Sequence, residues 1–176
     1  LQSTSARIKM DFNYFIDKKA PVSGISAPMA YKVSFDATLN EQAVYDFTLG
    51  LTVPMANLCP CSKAISDYGA HNQRCEIRAG LQISPGDDHK VVWIEDVVNA
   101  MDECSSCPVY PILKREDEKY VTERAYDNPK FVEDVIREAI MALRIMPGVT
   151  GFEVEVEAFE SIHGHNAWAK HSELSH

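Results

Sequence analysis

Apolar and polar residues alternate through much of the first half of the chain. A period of two is typical of half-buried antiparallel strands, because successive side chains point to opposite faces of a sheet. The polar connection NEQA, residues 40–43, predicts a hairpin between the second and third strands, and SPGDD, residues 84–88, predicts a turn after the fourth. The four strands carry apolar residues at every second position: Ile8, Met10, Phe12 and Tyr14; Tyr31, Val33, Phe35, Ala37 and Leu39; Tyr45, Phe47, Leu49, Leu51 and Val53; and Ile77, Ala79, Leu81 and Ile83.

The period becomes helical in the second half. One apolar stripe at i, i+3, i+4 and i+7 consists of Ile94, Val97, Val98 and Met101. A longer helix is predicted from Pro129 to about Met146, with Asn128 as its N-cap and Pro129 at the first helical position. The buried face of this helix is predicted to contain Val132, Ile136, Ile140 and Leu143.

Alternation returns near the C-terminus. Phe152, Val154, Val156 and Ala158 predict a last strand, and the intervening residues Glu153, Glu155 and Glu157 are expected on its solvent side. Strands followed by helices and a final strand predict an α+β fold, in which two helices are layered on one face of an antiparallel sheet.

Composition narrows the possible classes of protein. The net charge of −9, from 17 basic and 26 acidic residues, argues against a surface for nucleic acid or an anionic membrane. No apolar run reaches the length of about 18 residues that a membrane span needs. Five cysteines without regular spacing favour a reducing cytoplasm over a disulfide framework. Because the chain begins at Leu1 within a few residues of a strand, we expect it to be part of a longer polypeptide.

An acid and two histidines follow the last predicted strand. Continued alternation would place Glu160 on the core-facing side, where a carboxylate needs a compensating partner. His163 and His165 would point the same way if the backbone remained extended, and Gly164 between them would permit close approach of a ligand. The three residues are a candidate acid–base or metal cluster; solvated histidines at a strand end are an equally acceptable interpretation.

A second cluster is rich in cysteine. Cys59, Cys61 and His71 are donors that suit zinc, and Cys104 with Cys107 adds a C-x-x-C pair. A structural site formed by these four cysteines is therefore an alternative to a catalytic metal centre. Cys75, at the start of a strand, is most simply a small core residue.

Basic residues are concentrated in one segment of this acidic chain, residues 110–134. A mixed run of charges is usually a solvated surface, and Glu133 would usually be a helix-surface residue that gains from the helix dipole. The run also contains Glu118. Its cations are Lys114, Arg115, Lys119, Arg124 and Lys130.

Three segments together carry a family resemblance: LCPCSKAISDYGAHNQR at 58–74, LKREDEKYVTERAYDNPKFVED at 113–134, and FESIHGH at 159–165. In order and content they resemble the signature blocks of the prokaryotic type I-B GTP cyclohydrolases. The resemblance implies the tunnelling fold, whose subunits associate through their sheets into barrels with sites between subunits. It also implies that residues 1–30 belong to the end of a preceding tunnelling-fold half or to an N-terminal strand and linker, and that 31–176 form the catalytic unit.

The resemblance implies residue roles as well. Cys59, His71, Glu118 and His163 would bind a divalent metal, with zinc or manganese expected and iron as a further candidate. Glu133 would anchor the guanine edge, because a carboxylate accepts two hydrogen bonds from N1–H and the 2-amino group. Lys63, Lys114 and Arg115 are the main candidates for the triphosphate, with Arg74 and Lys119 also available. The catalytic set would comprise Cys59, Glu160, His163 and His165.

The implied reaction converts GTP and water to 7,8-dihydroneopterin triphosphate and formate, the first step of folate-type pterin synthesis. The expected protein is a cytoplasmic homo-oligomer, with a tetramer expected, that binds neither nucleic acid nor membrane. Two alternatives remain at this point. One is a nitrile reductase of the same fold that acts on a deazaguanine with NADPH through a nucleophilic cysteine, and the other is a non-enzymatic zinc-binding module.

Overall fold

An antiparallel sheet forms the framework of the computed structural model, which describes residues 4–42, 45–83 and 91–175. The strand order is β1-β2-β3-β4-β6-β7, and the short β5 pairs with β3. The predicted turn at 84–88 and the last residue of the predicted connection at 40–43 lie outside the described residues. Within those ranges the strands are β1 (Ala6–Lys19), β2 (Ser26–Leu39), β3 (Tyr45–Leu58), β4 (Asn72–Ile83), β5 (Cys107–Pro108), β6 (Val149–Ala158) and β7 (Ala167–Glu173).

The register of the strands places the alternating apolar residues on one face. Leu51 of β3 lies opposite Val33 of β2 and Ala79 of β4, and Ala79 lies opposite Val154 of β6. All four of these side chains are buried. The prediction of antiparallel strands with one core-facing side is therefore confirmed, as is the hairpin between β2 and β3. The predicted domain boundary at residue 30 falls within β2.

The described residues form four helices. They are α1 (Pro60–Ile65), α2 (Ile94–Glu103), α3 (Arg115–Asp127) and α4 (Val132–Arg144). The core includes Val98 and Met101 from α2 and Val135 and Leu143 from α4. The α+β fold class is confirmed, and the two predicted helices form the layer on the sheet. The described residues contain two further helices, α1 and α3, that the hydrophobic pattern did not predict.

The predicted start of the long helix was wrong by three residues. Helix α4 begins at Val132 with Phe131 as its N-cap, and the Phe131 amide donates to the Asp134 carboxylate at 3.0 Å. Asn128 instead ends α3, where its backbone amide donates to the Arg124 carbonyl. Its side chain donates to the Ser105 carbonyl at 2.9 Å, so it is held in the loop and does not cap α4.

Helix α3 falls in the charged segment that was interpreted as solvated surface. Only two of its residues, Asp117 and Ala125, are buried, so it has almost no apolar stripe to detect. Asp117 anchors its first turn by accepting hydrogen bonds from the Lys114 and Val22 amides and from the Ser23 amide and hydroxyl, at 2.6–2.9 Å. These bonds hold the pKa of Asp117 far below its usual value, although burial acts in the opposite direction. The carboxylate thereby ties α3 to the turn between β1 and β2.

The opposite face of the sheet is polar. Arg78 of β4 forms ion pairs there with Glu155, Glu157 and Glu76, in agreement with the prediction that the β6 glutamates point away from the core. Among the described residues, no helix is both long enough and apolar enough to span a membrane.

Candidate functional site

The chain reverses direction at Cys59, immediately after β3. The Cys59 Sγ accepts a hydrogen bond from the Ser62 amide at 3.5 Å and so caps α1, and Pro60 occupies the first turn, where its missing amide is not needed. The Cys59 carbonyl accepts from the Ser62 hydroxyl at 3.1 Å. These contacts fix the half-buried cysteine at the end of the sheet.

His71 lies beside Cys59 because the loop after α1 closes on its own start. The Cys59 amide donates to the His71 carbonyl at 3.1 Å, and the His71 amide donates to the Ser62 hydroxyl at 3.2 Å. Gly69, with φ of 131°, permits the backbone turn that this closure requires. The structure therefore places the backbones of two predicted metal ligands side by side, although they are separated by twelve positions in the sequence.

The His71 ring connects this loop to the end of β6. Its Nδ1 lies 2.9 Å from Gln73 Oε1 and 3.3 Å from Ser161 Oγ. The Gln73 amide nitrogen donates to Glu160 Oε1 at 3.3 Å. The hydrogen-bond partner of the half-buried Glu160 is thus Gln73, and Cys59, His71 and Glu160 belong to one hydrogen-bonded junction.

Gln73 and Ser161 were not among the predicted site residues. The signal for Gln73 was present, because alternation backwards from Cys75 places it on the core-facing side of β4. Its position opposite Asn57 on β3 follows from the strand register, which the sequence does not give. Asn57 is 1% exposed, and its side-chain oxygen has no hydrogen-bond partner within the described part of the chain.

His163 and His165 do not continue the strand. Strand β6 ends at Ala158, and residues 161–165 form an exposed bend, so the condition of an extended backbone is not met. Their rings nevertheless stack, with centroids 5.3 Å apart and planes inclined by 21°. Two imidazoles are therefore presented together to solvent, beside Glu160 along the chain.

The predicted carboxylates lie on helices. Glu118 is exposed in the first turn of α3, where its backbone amide donates to the Lys114 carbonyl at 2.9 Å. Glu133 is exposed in the first turn of α4, as predicted. Lys130, just before α4, donates its backbone amide to the Leu58 carbonyl at 3.1 Å, which ties the start of α4 to the residue preceding Cys59.

The predicted phosphate-binding cations surround the start and end of α3. Lys63 of α1 donates to the Tyr126 carbonyl, and its ammonium lies 4.2 Å from the Tyr126 ring centroid. Lys114 is the N-cap of α3 and Arg115 is its first residue. Of the other two candidates, Arg74 is exposed and Lys119 pairs with Glu123.

The four-cysteine alternative is not formed in this structure. Cys104 and Cys107 are buried whereas Cys61 is exposed, and the Cys104 thiol donates to the Ala100 carbonyl at 3.2 Å. Burial raises the pKa of Cys104 to about 11. Cys75 is a core residue, as predicted, and burial raises the pKa of its thiol to about 12.

Among the described residues, the donors of one chain do not complete a metal site. Across residues 4–42, 45–83 and 91–175 there is no group of three or more histidine, cysteine, aspartate or glutamate side chains placed to hold an ion. Cys59 and His71 are neighbours of suitable donor type for zinc. The remaining predicted ligands, Glu118 and His163, are on other elements.

Comparison with known proteins identifies the family. Residues 1–169 match the family described as type I GTP cyclohydrolase folE2. The chain belongs to this family. It is 50% identical over 169 residues to the GTP cyclohydrolase FolE2 of Citrifermentans bemidjiense, a match that covers 96% of this chain and 61% of that protein. It is 51% identical to the FolE2 proteins of Geobacter sulfurreducens and Magnetococcus marinus, again over 96% of this chain and over 63% and 62% of theirs. The chain thus spans about three-fifths of the length of these FolE2 relatives.

Proposed function

We propose that this chain is the catalytic part of a GTP cyclohydrolase I that converts GTP and water to 7,8-dihydroneopterin triphosphate and formate. The observation that carries the proposal is the junction in which His71, Gln73 and Glu160 are hydrogen-bonded beside Cys59, in a chain of the FolE2 family. We assign the chain to the type I-B enzymes of the tunnelling-fold superfamily, with a further half in the longer protein and a cytoplasmic location.

Substrate recognition is assigned to the starts of α3 and α4 and to Lys63 of α1. The exposed Glu133 carboxylate accepts from guanine N1–H and the 2-amino group, an arrangement that adenine cannot satisfy. Lys63, Lys114 and Arg115 bind the triphosphate, since ammonium and guanidinium groups provide charge-assisted hydrogen bonds to phosphate oxygens.

Proton transfer is assigned to the exposed histidines. His163 and His165 protonate N7 of the purine when water adds at C8, and they move protons as the imidazole ring opens and C8 leaves as formate. The stacked rings allow both groups to reach one bound base. Glu160 orients this segment through its bond to Gln73.

A divalent metal, zinc or manganese with iron as a further candidate, is part of the proposal. Cys59 and His71 are the ligands that lie together in one chain, and Glu118 and His163 are proposed to join them in a homo-oligomer, expected to be a tetramer. When bound, such an ion supplies a water of lowered pKa.

The test uses full-length protein, prepared metal-loaded and chelator-treated, incubated with GTP. Formation of the pterin chromophore together with stoichiometric formate in the loaded sample is the expected result. Metal-loaded protein that leaves GTP unchanged would overturn the proposal, and consumption of NADPH with a deazaguanine nitrile would favour the reductase.

Guanine recognition has its own test. Glu133→Gln removes one acceptor and introduces a donor against the guanine edge, and we expect kcat/KM for GTP to fall about 1,000-fold. Metal content should be unchanged. Glu138→Gln, an exposed change in the same helix, is the matched control, and full GTP turnover by Glu133→Gln would refute the assignment.

A further inference from the structure

Gln73 occupies the centre of a hydrogen-bonded chain between an acid and an imidazole. On one side its Oε1 lies 2.9 Å from His71 Nδ1, and on the other its Nε2 lies 3.3 Å from Glu160 Oε1. The side chain is half-buried on the core-facing side of β4, opposite the buried Asn57. The Gln73 side chain is therefore held between two polar neighbours.

The chemistry of these neighbours determines which way the amide points. An ionised carboxylate only accepts hydrogen bonds, so the group of Gln73 that faces Glu160 must be the amide nitrogen. The carbonyl oxygen then faces His71. A flipped amide would place its oxygen against the Glu160 carboxylate, with two acceptors in contact and no proton between them.

The orientation of the amide in turn determines the tautomer of His71. Because Gln73 Oε1 is an acceptor only, the Nδ1 that it contacts must carry the proton. Ser161 Oγ, 3.3 Å from the same nitrogen, serves as a second acceptor for that proton. The lone pair of the neutral ring is consequently on Nε2.

We infer that Gln73 is a positioning residue that holds the His71 ring in its Nδ1–H tautomer. Its amide nitrogen donates to Glu160, and its carbonyl oxygen is thereby turned towards His71 and accepts from Nδ1–H. The role that this gives to Nε2 in turnover, as the nitrogen that accepts a metal or a proton, rests on the proposed function. The tautomer itself does not. An amide bridge suits this task because it has one donor side and one acceptor side, whereas a carboxylate or an alkyl group lacks one or both.

The experiment measures the tautomer directly. Chelator-treated full-length protein labelled with ¹⁵N-histidine is examined by long-range ¹H–¹⁵N NMR, and His71→Asn identifies the signals. Wild-type protein should show a protonated Nδ1 and a bare Nε2. Gln73→Leu removes the acceptor at 2.9 Å and leaves only the longer Ser161 contact at Nδ1, so it should move the ring towards the Nε2–H form. Gln82→Leu, at the other end of the same strand, is the matched control and should leave the ring unchanged.

A second pair of variants separates hydrogen bonding from simple disruption. Gln73→Glu keeps an acceptor towards His71 but opposes Glu160 with a second carboxylate. The double variant Gln73→Glu, Glu160→Gln restores a donor and an acceptor at each contact, and it should show the same Nδ1–H tautomer as wild-type protein. A bare Nδ1 in wild-type protein, or a ring unchanged by Gln73→Leu, would overturn the inference.

Turnover is measured on the same samples after metal is added. We expect kcat/KM for GTP to fall about 10- to 100-fold in Gln73→Leu, which is the usual range for loss of a group that orients a histidine. An inactive wild-type protein with the expected tautomer would reject the proposed function and retain the inference. Full activity of the wild-type protein, with no change of tautomer in Gln73→Leu, would support the proposed function and reject the inference about Gln73.

Discussion

Two ends of the same sheet face have opposite character. Across β3, β4 and β6, the apolar rung formed by Val53, Ile77 and Val156 is fully buried beneath the helices. Two rungs further along β3 and β4, the same face carries Asn57 and Gln73, and Gln73 bonds to Glu160 just beyond the end of β6; these three residues are the polar rung. The two rungs therefore differ in the side chains that they carry and in the elements that lie beside them. The helix layer excludes water from the first, whereas the second ends at an exposed loop with two histidines.

The comparison teaches that the alternation of residues along a strand predicts which side chains face the core. It does not predict whether such a side chain packs as part of the apolar core or forms part of a polar site. A core-facing position can hold either a packed alkyl group or a polar group that has found a partner. Substitutions in the apolar rung should therefore lower the free energy of unfolding, and substitutions in the polar rung should lower GTP turnover.

The largest expected effect comes from the apolar rung. Ile77→Ala removes a side chain with 0% exposure from the centre of the core and should lower the free energy of unfolding by about 3 kcal/mol, through lost burial and the cavity left behind. Chemical denaturation measures this change. GTP turnover per folded molecule should remain close to that of wild type, and a loss below 1 kcal/mol would show that this rung is not the centre of the core.

A substitution in the polar rung should lower GTP turnover with little change in stability. Glu160→Gln leaves the shape of the side chain but removes its charge, and we expect GTP turnover to fall about 100-fold with a change in stability below about 1 kcal/mol. Glu153→Gln, in β6 and in an exposed ion pair with Lys170 of β7, is the matched control. Equal turnover in both variants would deny Glu160 a part in the reaction.

The boundary between the rungs is at Cys75, which lies between Met55 and Ala158. Cys75→Ser places a hydroxyl where the structure has a buried thiol and should destabilise the protein by about 1–2 kcal/mol, because burial of a hydroxyl without a good partner is unfavourable. Cys61→Ser, at an exposed position, should change stability by less than 0.5 kcal/mol in either direction. The Tm values of the two variants are compared by thermal unfolding. Equal Tm values would show that position 75 tolerates a polar group and therefore belongs to the polar region.

Much of the fold could be predicted from the sequence because the sheet and the helix layer depend on apolar periodicity. The strands around Leu51, Ala79 and Val154 and the helix at Val98 follow directly from it. Helix α3 could not be found in this way, because it is held by the buried Asp117 and by contacts of Ala125 rather than by an apolar stripe.

The site was predictable only in part, for a different reason. Alternation indicated that Glu160 needs a partner, but the identity of that partner depends on the register between β4 and β6, which involves residues more than eighty positions apart. The proximity of Cys59 and His71 likewise depends on the closure of the loop after α1. Grouping these residues from sequence therefore relied on resemblance to a family, and periodicity alone could not supply it.

The smallest expected effect lies at the far edge of the sheet, away from both rungs. Glu173 of β7 accepts from Arg144 of α4 and, at 2.7 Å, from His171, and these partners lower its pKa to about 2. Because its pKa in the folded protein is below the ordinary value, the stabilisation is complete above pH about 4.5 and is lost as the pH falls towards about 2. The Tm of Glu173→Gln should therefore lie slightly below that of wild type at neutral pH, and the two Tm values should converge across this acidic window.

Lys170→Gln, which disturbs a neighbouring pair on the same strand, controls for general effects at this edge. A difference in Tm that persists unchanged down to pH about 2 would show that packing of the side chain, and not its charge, joins β7 to α4.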